Sequence, residues 1–60
     1  MDDIMTPVEV ARRLKVKKRT VLEWLRQGKL KGLKLGRLWR IRSRDLDQFL
    51  QSVEDGLEDA

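Results

Sequence analysis

A chain of sixty residues with a net charge of +4 makes one small domain, and such a domain buries only about 60% of the surface that it exposes when unfolded. It contains no cysteine and no histidine, which excludes disulfides, thiolate-bound zinc and catalysis by Cys or His. No apolar run approaches the roughly 20 residues that span a bilayer, and the acidic N-terminus is unlike a secretory signal, so we expect a cytoplasmic protein.

The charges are distributed unevenly along the chain. Residues 10–44 contain all 14 lysines and arginines against a single acid, Glu23, and therefore carry a net charge of +13. Residues 1–9 carry −3 and residues 45–60 carry −6. A basic body between acidic ends predicts a polyanionic partner, with nucleic acid favoured over a membrane surface.

The first predicted helix has a strong start signal. Thr6 is a suitable N-cap, Pro7 fits the first helical position, and Glu9 completes a capping box with Thr6. The apolar spacing that follows fits one face of a helix that ends near Leu14.

A second helix is predicted after a turn of about three residues. It covers residues 17–27 and ends at Gly28, a natural left-handed position at a helix C-terminus. One face is apolar and consists of Val21, Trp24 and Leu25. The opposite face carries Arg19, Glu23 and Arg26, with Leu22 at its edge. Two helices of this size and spacing predict a helix-turn-helix.

The stretch "KLGRLWRIR" and the residues before it alternate between apolar and polar, which predicts two half-buried strands. Gly36-Arg37 suits a two-residue type II′ loop between them, so the segment is expected to form a β-hairpin. We expect Leu35, Trp39 and Ile41 to close the core beneath the hairpin. The cations expected on its outward side or tip are Lys34, Arg37 and Arg40.

A third helix is predicted near the C-terminus, where Ser43 can serve as the cap and Asp45 and Asp47 lie near the positive end. Its apolar stripe consists of Leu46, Phe49, Leu50 and Val53. The acidic residues beyond position 52 are expected to fray. The predicted organisation is an N-terminal arm at residues 1–5, one domain at residues 6–52, and an acidic, flexible tail at residues 53–60.

The order helix, turn, helix, hairpin, helix predicts a mainly α fold with a small β-hairpin, the winged helix-turn-helix. "TPVEVARRL", "RTVLEWLRQGKL", "LGRLWRI" and "DLDQFL" resemble the excisionase-type, MerR-like family of winged helix-turn-helix domains in content, order and spacing. The resemblance covers about residues 5–50. It implies a DNA-binding module whose second helix enters the major groove and whose wing follows the adjacent backbone or minor groove.

The sequence departs from that family at four positions, and each departure adds a cation. Lys15, Lys17, Lys31 and Arg42 stand where such domains usually have Gly, Ser, Pro and Pro. A lost Ser cap costs roughly 0.5–2 kcal/mol, and a left-handed Lys15 would cost about 1–2 kcal/mol more than Gly. We hypothesise that this chain exchanges fold stability for affinity to phosphates.

The candidate DNA-binding residues fall into two groups. The first lies on the second helix, where arginine matches guanine acceptors and glutamate matches the cytosine amino group. It consists of Lys17, Lys18, Arg19, Thr20, Leu22, Glu23 and Arg26. The second group lies in the turn and the wing and consists of Lys15, Lys34, Arg37 and Arg40. The alternative is a solvated face in which Arg19 and Glu23 form an ordinary helical ion pair.

Three apolar residues have more than one interpretation. Trp24 and Trp39 could stack on single-stranded bases, but their spacing on apolar faces favours the core. Leu38 is apolar where the alternation points outwards. It fits a wedge near DNA, a protein contact or a partly covered surface leucine, and the last is favoured.

The leading hypothesis is sequence-specific binding of double-stranded DNA without catalysis, cofactor or metal. The resemblance implies an excisionase-like architectural factor or a compact transcription regulator, of a bacterial or phage type. Expected partners are an integrase or recombinase, or further copies of this chain on DNA, and no membrane or small-molecule effector is expected. The alternative is an RNA-binding or protein-interaction module that uses the basic hairpin. A membrane-surface helix is disfavoured, because the glycines at positions 28, 32 and 36 interrupt it.

Overall fold

A computed structural model describes residues 3–57 of the chain, with side chains up to Val53. The elements are β1 (Ile4–Met5), α1 (Pro7–Leu14), α2 (Lys18–Gln27), β2 (Leu33–Leu35), β3 (Leu38–Arg42) and α3 (Ser43–Leu57). This order confirms the predicted fold class, a helix-turn-helix followed by a hairpin wing and a further helix.

The start of α1 is fixed by the capping box that the sequence predicts. The Thr6 hydroxyl accepts from the Glu9 backbone N–H at 3.1 Å, and the Glu9 carboxylate accepts from the Thr6 backbone N–H at 3.0 Å. The hydrogen bond that the Thr6 backbone N–H donates to the Glu9 carboxylate, and after it the interaction of this carboxylate with the Thr6 side chain, hold the pKa of Glu9 below its ordinary value. The charges of Arg40 and Arg12 lower it further. Two of the N–H groups that a helix start leaves unpaired are thereby satisfied.

Both helices of the helix-turn-helix end in the same left-handed turn, but with different residues. Gly28 ends α2 at φ 78°, and Lys15 ends α1 at φ 57°. The Val16 N–H donates to the Ala11 carbonyl at 3.0 Å, so the turn after α1 has the bonding of a Schellman motif. Lys15 therefore occupies a backbone conformation that glycine adopts without strain.

The core lies where the three helices meet the sheet. Its buried apolar members are Met5, Val10, Ala11, Val21, Leu25, Leu30, Ile41, Leu46 and Phe49. Trp24 and Trp39 are half-buried and pack against this core, as their spacing predicts. The Trp24 ring lies 4.8 Å from the Phe49 ring, centroid to centroid, which joins α2 to α3. Leu30, which follows α2 and is 1% exposed, is a core residue that the sequence reasoning missed.

The sheet has three antiparallel strands in the order β1-β3-β2. The strand β1 was not predicted, since residues 1–5 were expected to form an arm. Ile4 pairs with Arg42 and Met5 pairs with Ile41, and the Ser43 N–H extends the pairing to the Asp3 carbonyl at 2.9 Å. The N-terminal segment thus pairs with the edge of β3 that lies opposite β2.

The hairpin has the predicted two-residue loop, because Leu35 pairs directly with Leu38. Gly36 has φ 65°, whereas Arg37 has no positive φ, which excludes type I′ and agrees with type II′. The predicted face of Leu35 is wrong. Directly paired residues share a face, so Leu35 lies with Leu38 and is 61% exposed, whereas Ile41 is fully buried.

The expectation that Lys34 points away from Trp39 is wrong for the same reason. Lys34 pairs with Trp39 in the hairpin, and its Nζ lies 5.5 Å from the centroid of the Trp39 ring. The lysine therefore covers the exposed part of a half-buried tryptophan, a cation–π arrangement.

The helix α3 begins at Ser43 and continues to Leu57. The Ser43 hydroxyl accepts from the Asp3 backbone N–H at 3.3 Å, and this bond ties the N-terminal segment to the start of α3. The apolar stripe on α3 weakens along the helix, since Leu46 is 2% exposed and Val53 is 40% exposed. Residues 53–57 of the predicted tail are helical, while residues 58–60 lie outside the described part, so the tail's flexibility stays a prediction.

Candidate nucleic-acid interface

The turn between α1 and α2 exposes a run of lysines at the N-terminal end of α2. Lys17 is the N-cap residue of α2 and makes no side-chain capping bond. The sequence predicts this, because a lysine stands where a small hydroxyl residue would cap the helix. Lys15, Lys17 and Lys18 are all exposed, and Thr20 is half-buried. The start of α2 therefore combines positive side chains with the free backbone N–H groups of a helix terminus.

The outer face of α2 is polar and open to solvent. Arg19 Nε lies 3.5 Å from the Glu23 carboxylate, and these side chains are 87% and 50% exposed. Arg26 is exposed farther along the same helix, and Leu22 between them is half-buried because it also packs against the core. The ion pair on this face is solvated and contributes little to stability.

An open cleft of about 500 Å³ separates α2 from the hairpin. Three side chains one helical turn apart on α2, those of Lys18, Leu22 and Arg26, form one wall. The start of α1 closes one end, and the hairpin forms the opposite wall. The lining residues outside α2 are Thr6, Pro7, Val8, Lys34, Gly36, Arg37, Leu38, Trp39 and Arg40.

The lining of this cleft is strongly basic. Of the residues named, five are lysine or arginine and none is acidic. The low-dielectric walls of a cleft concentrate the field of such charges, so the cleft attracts an anion more strongly than the same charges on a flat surface.

Arg40 differs from the other cations of the cleft because its side chain is held in place. It is half-buried, and its Nη1 donates to the Trp39 carbonyl at 2.7 Å. Its charge is also close enough to lower the pKa of Glu9 at the start of α1. Arg40 therefore lies on the outward face of the hairpin with Leu38, as the sequence predicts, but it is half-buried, whereas Arg37 is exposed.

The structure brings together six of the eleven predicted site residues in this cleft. They are Lys18, Leu22, Arg26, Lys34, Arg37 and Arg40. Arg19 and Glu23 lie on the outer flank of α2, and Lys15, Lys17 and Thr20 surround the turn. The contribution of Thr6, Pro7 and Val8 was missed, and no local signal identifies it, because it depends on how α1 packs against the hairpin.

Within residues 3–57, no helix has the length and apolar character that crossing a membrane requires. In the same described part of the chain, no group of His, Cys, Asp or Glu has the arrangement of a metal site. The chemistry of the cleft is that of cations and apolar side chains.

A second helix that borders a basic cleft beside a β-hairpin defines a winged helix-turn-helix protein. A model of the helix-turn-helix domain family matches residues 4–53, so the chain belongs to this excisionase-like family of DNA-binding helix-turn-helix domains. Comparison with curated proteins and with solved structures found no match. The family match confirms the DNA-binding helix-turn-helix class that the sequence predicts.

Proposed function

We propose that this protein binds double-stranded DNA sequence-specifically, with α2 in the major groove and the hairpin on the adjacent backbone or minor groove. The observation that carries this proposal is the cleft, in which α2 and the hairpin present five cations and no acid on one surface. A DNA strand that runs between the two elements places its phosphates against these cations. Helix-turn-helix DNA-binding families are typically non-enzymatic, and we propose the same here.

The outer face of α2 supplies groups suited to base edges. Arg19 and Arg26 are exposed and carry the guanidinium fork that matches the two major-groove acceptors of guanine. Glu23 can accept from the cytosine amino group, and it lies 3.5 Å from Arg19 Nε, where it can orient that side chain. Leu22, at the border of the cleft, is suited to the thymine methyl group.

The turn supplies groups suited to phosphates. Lys15, Lys17 and Lys18 are exposed around the N-terminal end of α2, and Thr20 lies beside them. Contacts to phosphate position a protein on the duplex without reading its sequence. We therefore assign the turn and the hairpin cations to positioning, and the outer face of α2 to sequence readout.

A competition experiment tests the proposal. Duplex DNA and duplex RNA of equal length and sequence compete for the fluorescently labelled protein, and DNA is expected to win, because the A-form major groove does not admit a helix. With six to eight phosphate contacts, the logarithm of the association constant falls against log salt with a slope of about −5 to −7. Equal competition by RNA would favour an RNA-binding module, and a slope near −1 would exclude the footprint.

Matched single-charge variants locate the surface. Lys18→Ala and Arg26→Ala each remove one cation of the cleft and are expected to weaken binding to duplex DNA. Lys29→Ala also removes one exposed cation, but Lys29 does not line the cleft. Equal losses in all three variants would indicate binding by net charge alone and would contradict the proposed interface.

Two biological roles follow from such binding: an excisionase-like architectural factor that cooperates with an integrase or recombinase, or a compact transcription regulator. The family match supports the DNA binding that both roles require. One helix and one wing read a short site, so we propose that several copies on repeated sites, or a neighbouring DNA-bound protein, provide the remaining specificity. From the family resemblance we further propose a bacterial or phage-type protein that acts on DNA in the cytoplasm.

A further inference from the structure

The tip of the hairpin carries two exposed leucines. Leu35 and Leu38 pair directly across the loop and are 61% and 57% exposed. Neither belongs to the core, whereas Trp39 and Ile41, which follow in β3, are covered. Two adjacent leucines at a loop leave apolar surface in water that the fold itself does not cover.

The surroundings of this leucine pair are cationic. Residues 33–40 contain Lys34, Arg37 and Arg40 and no acid, and Arg37 lies in the loop between the two leucines. Leu38 also lines the cleft, where it faces the same space as Lys18 and Arg26. An occupant must therefore offer negative charge around an apolar site, and duplex DNA combines phosphates with apolar sugar walls and base faces.

We propose that Leu38, with Leu35 beside it, enters the minor groove next to the site of α2 and partly unstacks one base step. The inference rests on the proposed function and adds a residue that bends the duplex. Leucine is among the apolar side chains that insert between base steps in this way and kink DNA. The cations around the pair hold the flanking phosphates, and pyrimidine–purine steps are the ones most easily opened.

A second copy of this chain fits the leucine pair less well. Contact between two hairpin tips would bring Lys34, Arg37 and Arg40 of one copy against the same three cations of the other, without an acid from either hairpin. Like charges that face each other oppose such a contact. The charge of the hairpin therefore favours the polyanion.

The test uses a duplex that the wild-type protein selects from a random-sequence library. The adenine analogue 2-aminopurine, whose fluorescence rises when it is unstacked, replaces adenine at successive positions beside the site of α2. The wild-type protein is expected to raise the fluorescence at one step, and Leu38→Ala to abolish the rise and to weaken binding by roughly tenfold, the effect of a leucine that is no longer buried. Leu35→Ala is expected to have a smaller effect.

The matched control is Ile4→Ala. Ile4 is 57% exposed, as is Leu38, but it lies at the opposite end of the sheet, where it pairs with Arg42. Thermal melting checks that all three variants fold. If Leu38→Ala raised the 2-aminopurine fluorescence as much as the wild type does, the insertion of Leu38 would be overturned and the proposed DNA binding would stand. If the wild-type protein selected no duplex from the library, the insertion and the proposed DNA binding would both be overturned.

Sedimentation analysis of the protein without DNA tests whether a second copy of the chain, rather than DNA, covers the leucine pair. A wild-type dimer that Leu38→Ala dissociates would assign the leucine pair to self-association and would overturn the wedge. A monomer in both cases agrees with insertion into DNA.

Discussion

Replacement of Lys15 by glycine is expected to stabilise the protein and to weaken its binding to DNA. Lys15 has φ 57° and ψ 44°, a conformation that costs an L-residue about 1–2 kcal/mol relative to glycine. The greater freedom of glycine in the unfolded chain removes about 0.4–1 kcal/mol of this gain. At the middle of these ranges the net stabilisation is about 0.8 kcal/mol, which raises the melting temperature by roughly 3–6 °C in a domain of this size.

Two variants separate the backbone from the charge. Lys15→Ala removes the cation but keeps the strained conformation, so it is expected to weaken DNA binding without the gain in melting temperature. Gly28→Ala introduces the same strain at φ 78°, where a Cβ meets no atom within 4 Å, and is expected to lose about 1 kcal/mol. A Lys15→Gly protein that is no more stable than the wild type would refute the strain argument. A more stable protein with unchanged affinity for DNA would refute the exchange of stability for phosphate binding.

Three further outcomes are expected. Gly32→Ala would place a Cβ 2.6 Å from Leu25 Cδ2 and 3.3 Å from the Arg40 carbonyl, so chemical denaturation should show a loss of about 1–3 kcal/mol. No loss would contradict the tight packing of residue 32 between α2 and β3. Folding lowers the pKa of Glu9, so its ionised carboxylate stabilises the folded protein at pH values above the ordinary pKa of 4.5. This stabilisation is lost as the pH falls below 4.5 and the carboxylate is protonated. Glu9→Gln has no such carboxylate, so its melting temperature should fall less steeply with pH below 4.5 than that of the wild type. Glu23→Gln, which breaks the exposed pair with Arg19, should change stability by at most about 0.5 kcal/mol but relax the sequence selected from a random library.

Local signals predicted most of the helix-turn-helix correctly. The capping box of Thr6 and Glu9, the uncapped Lys17 and the end of α2 at Gly28 all depend on residues within one or two helical turns. Such short-range chemistry can be read from the order of the residues alone. The Gly36-Arg37 loop was predictable for the same reason.

The errors concern contacts between distant parts of the chain. A two-residue loop pairs Leu35 with Leu38, so the assignment of Leu35 to the core conflicted with the predicted loop and could have been corrected from the sequence. The strand Ile4–Met5 could not have been predicted from the sequence, because two residues are too few to show an alternating pattern. They form a strand only by pairing with β3 in the folded protein. The residues at the start of α1 likewise line the cleft only because α1 packs against the hairpin in the folded protein.

One titration would decide whether α2 and the hairpin act as a single DNA-binding surface. Isotope-labelled protein is titrated with duplex DNA, and the backbone amide signals are followed by NMR. The largest shifts are expected at Lys18, Leu22, Arg26 and Leu38 on the two walls of the cleft, while Leu46 in the buried face of α3 stays unchanged. Shifts confined to α3, or spread evenly over the described surface, would contradict the proposed interface.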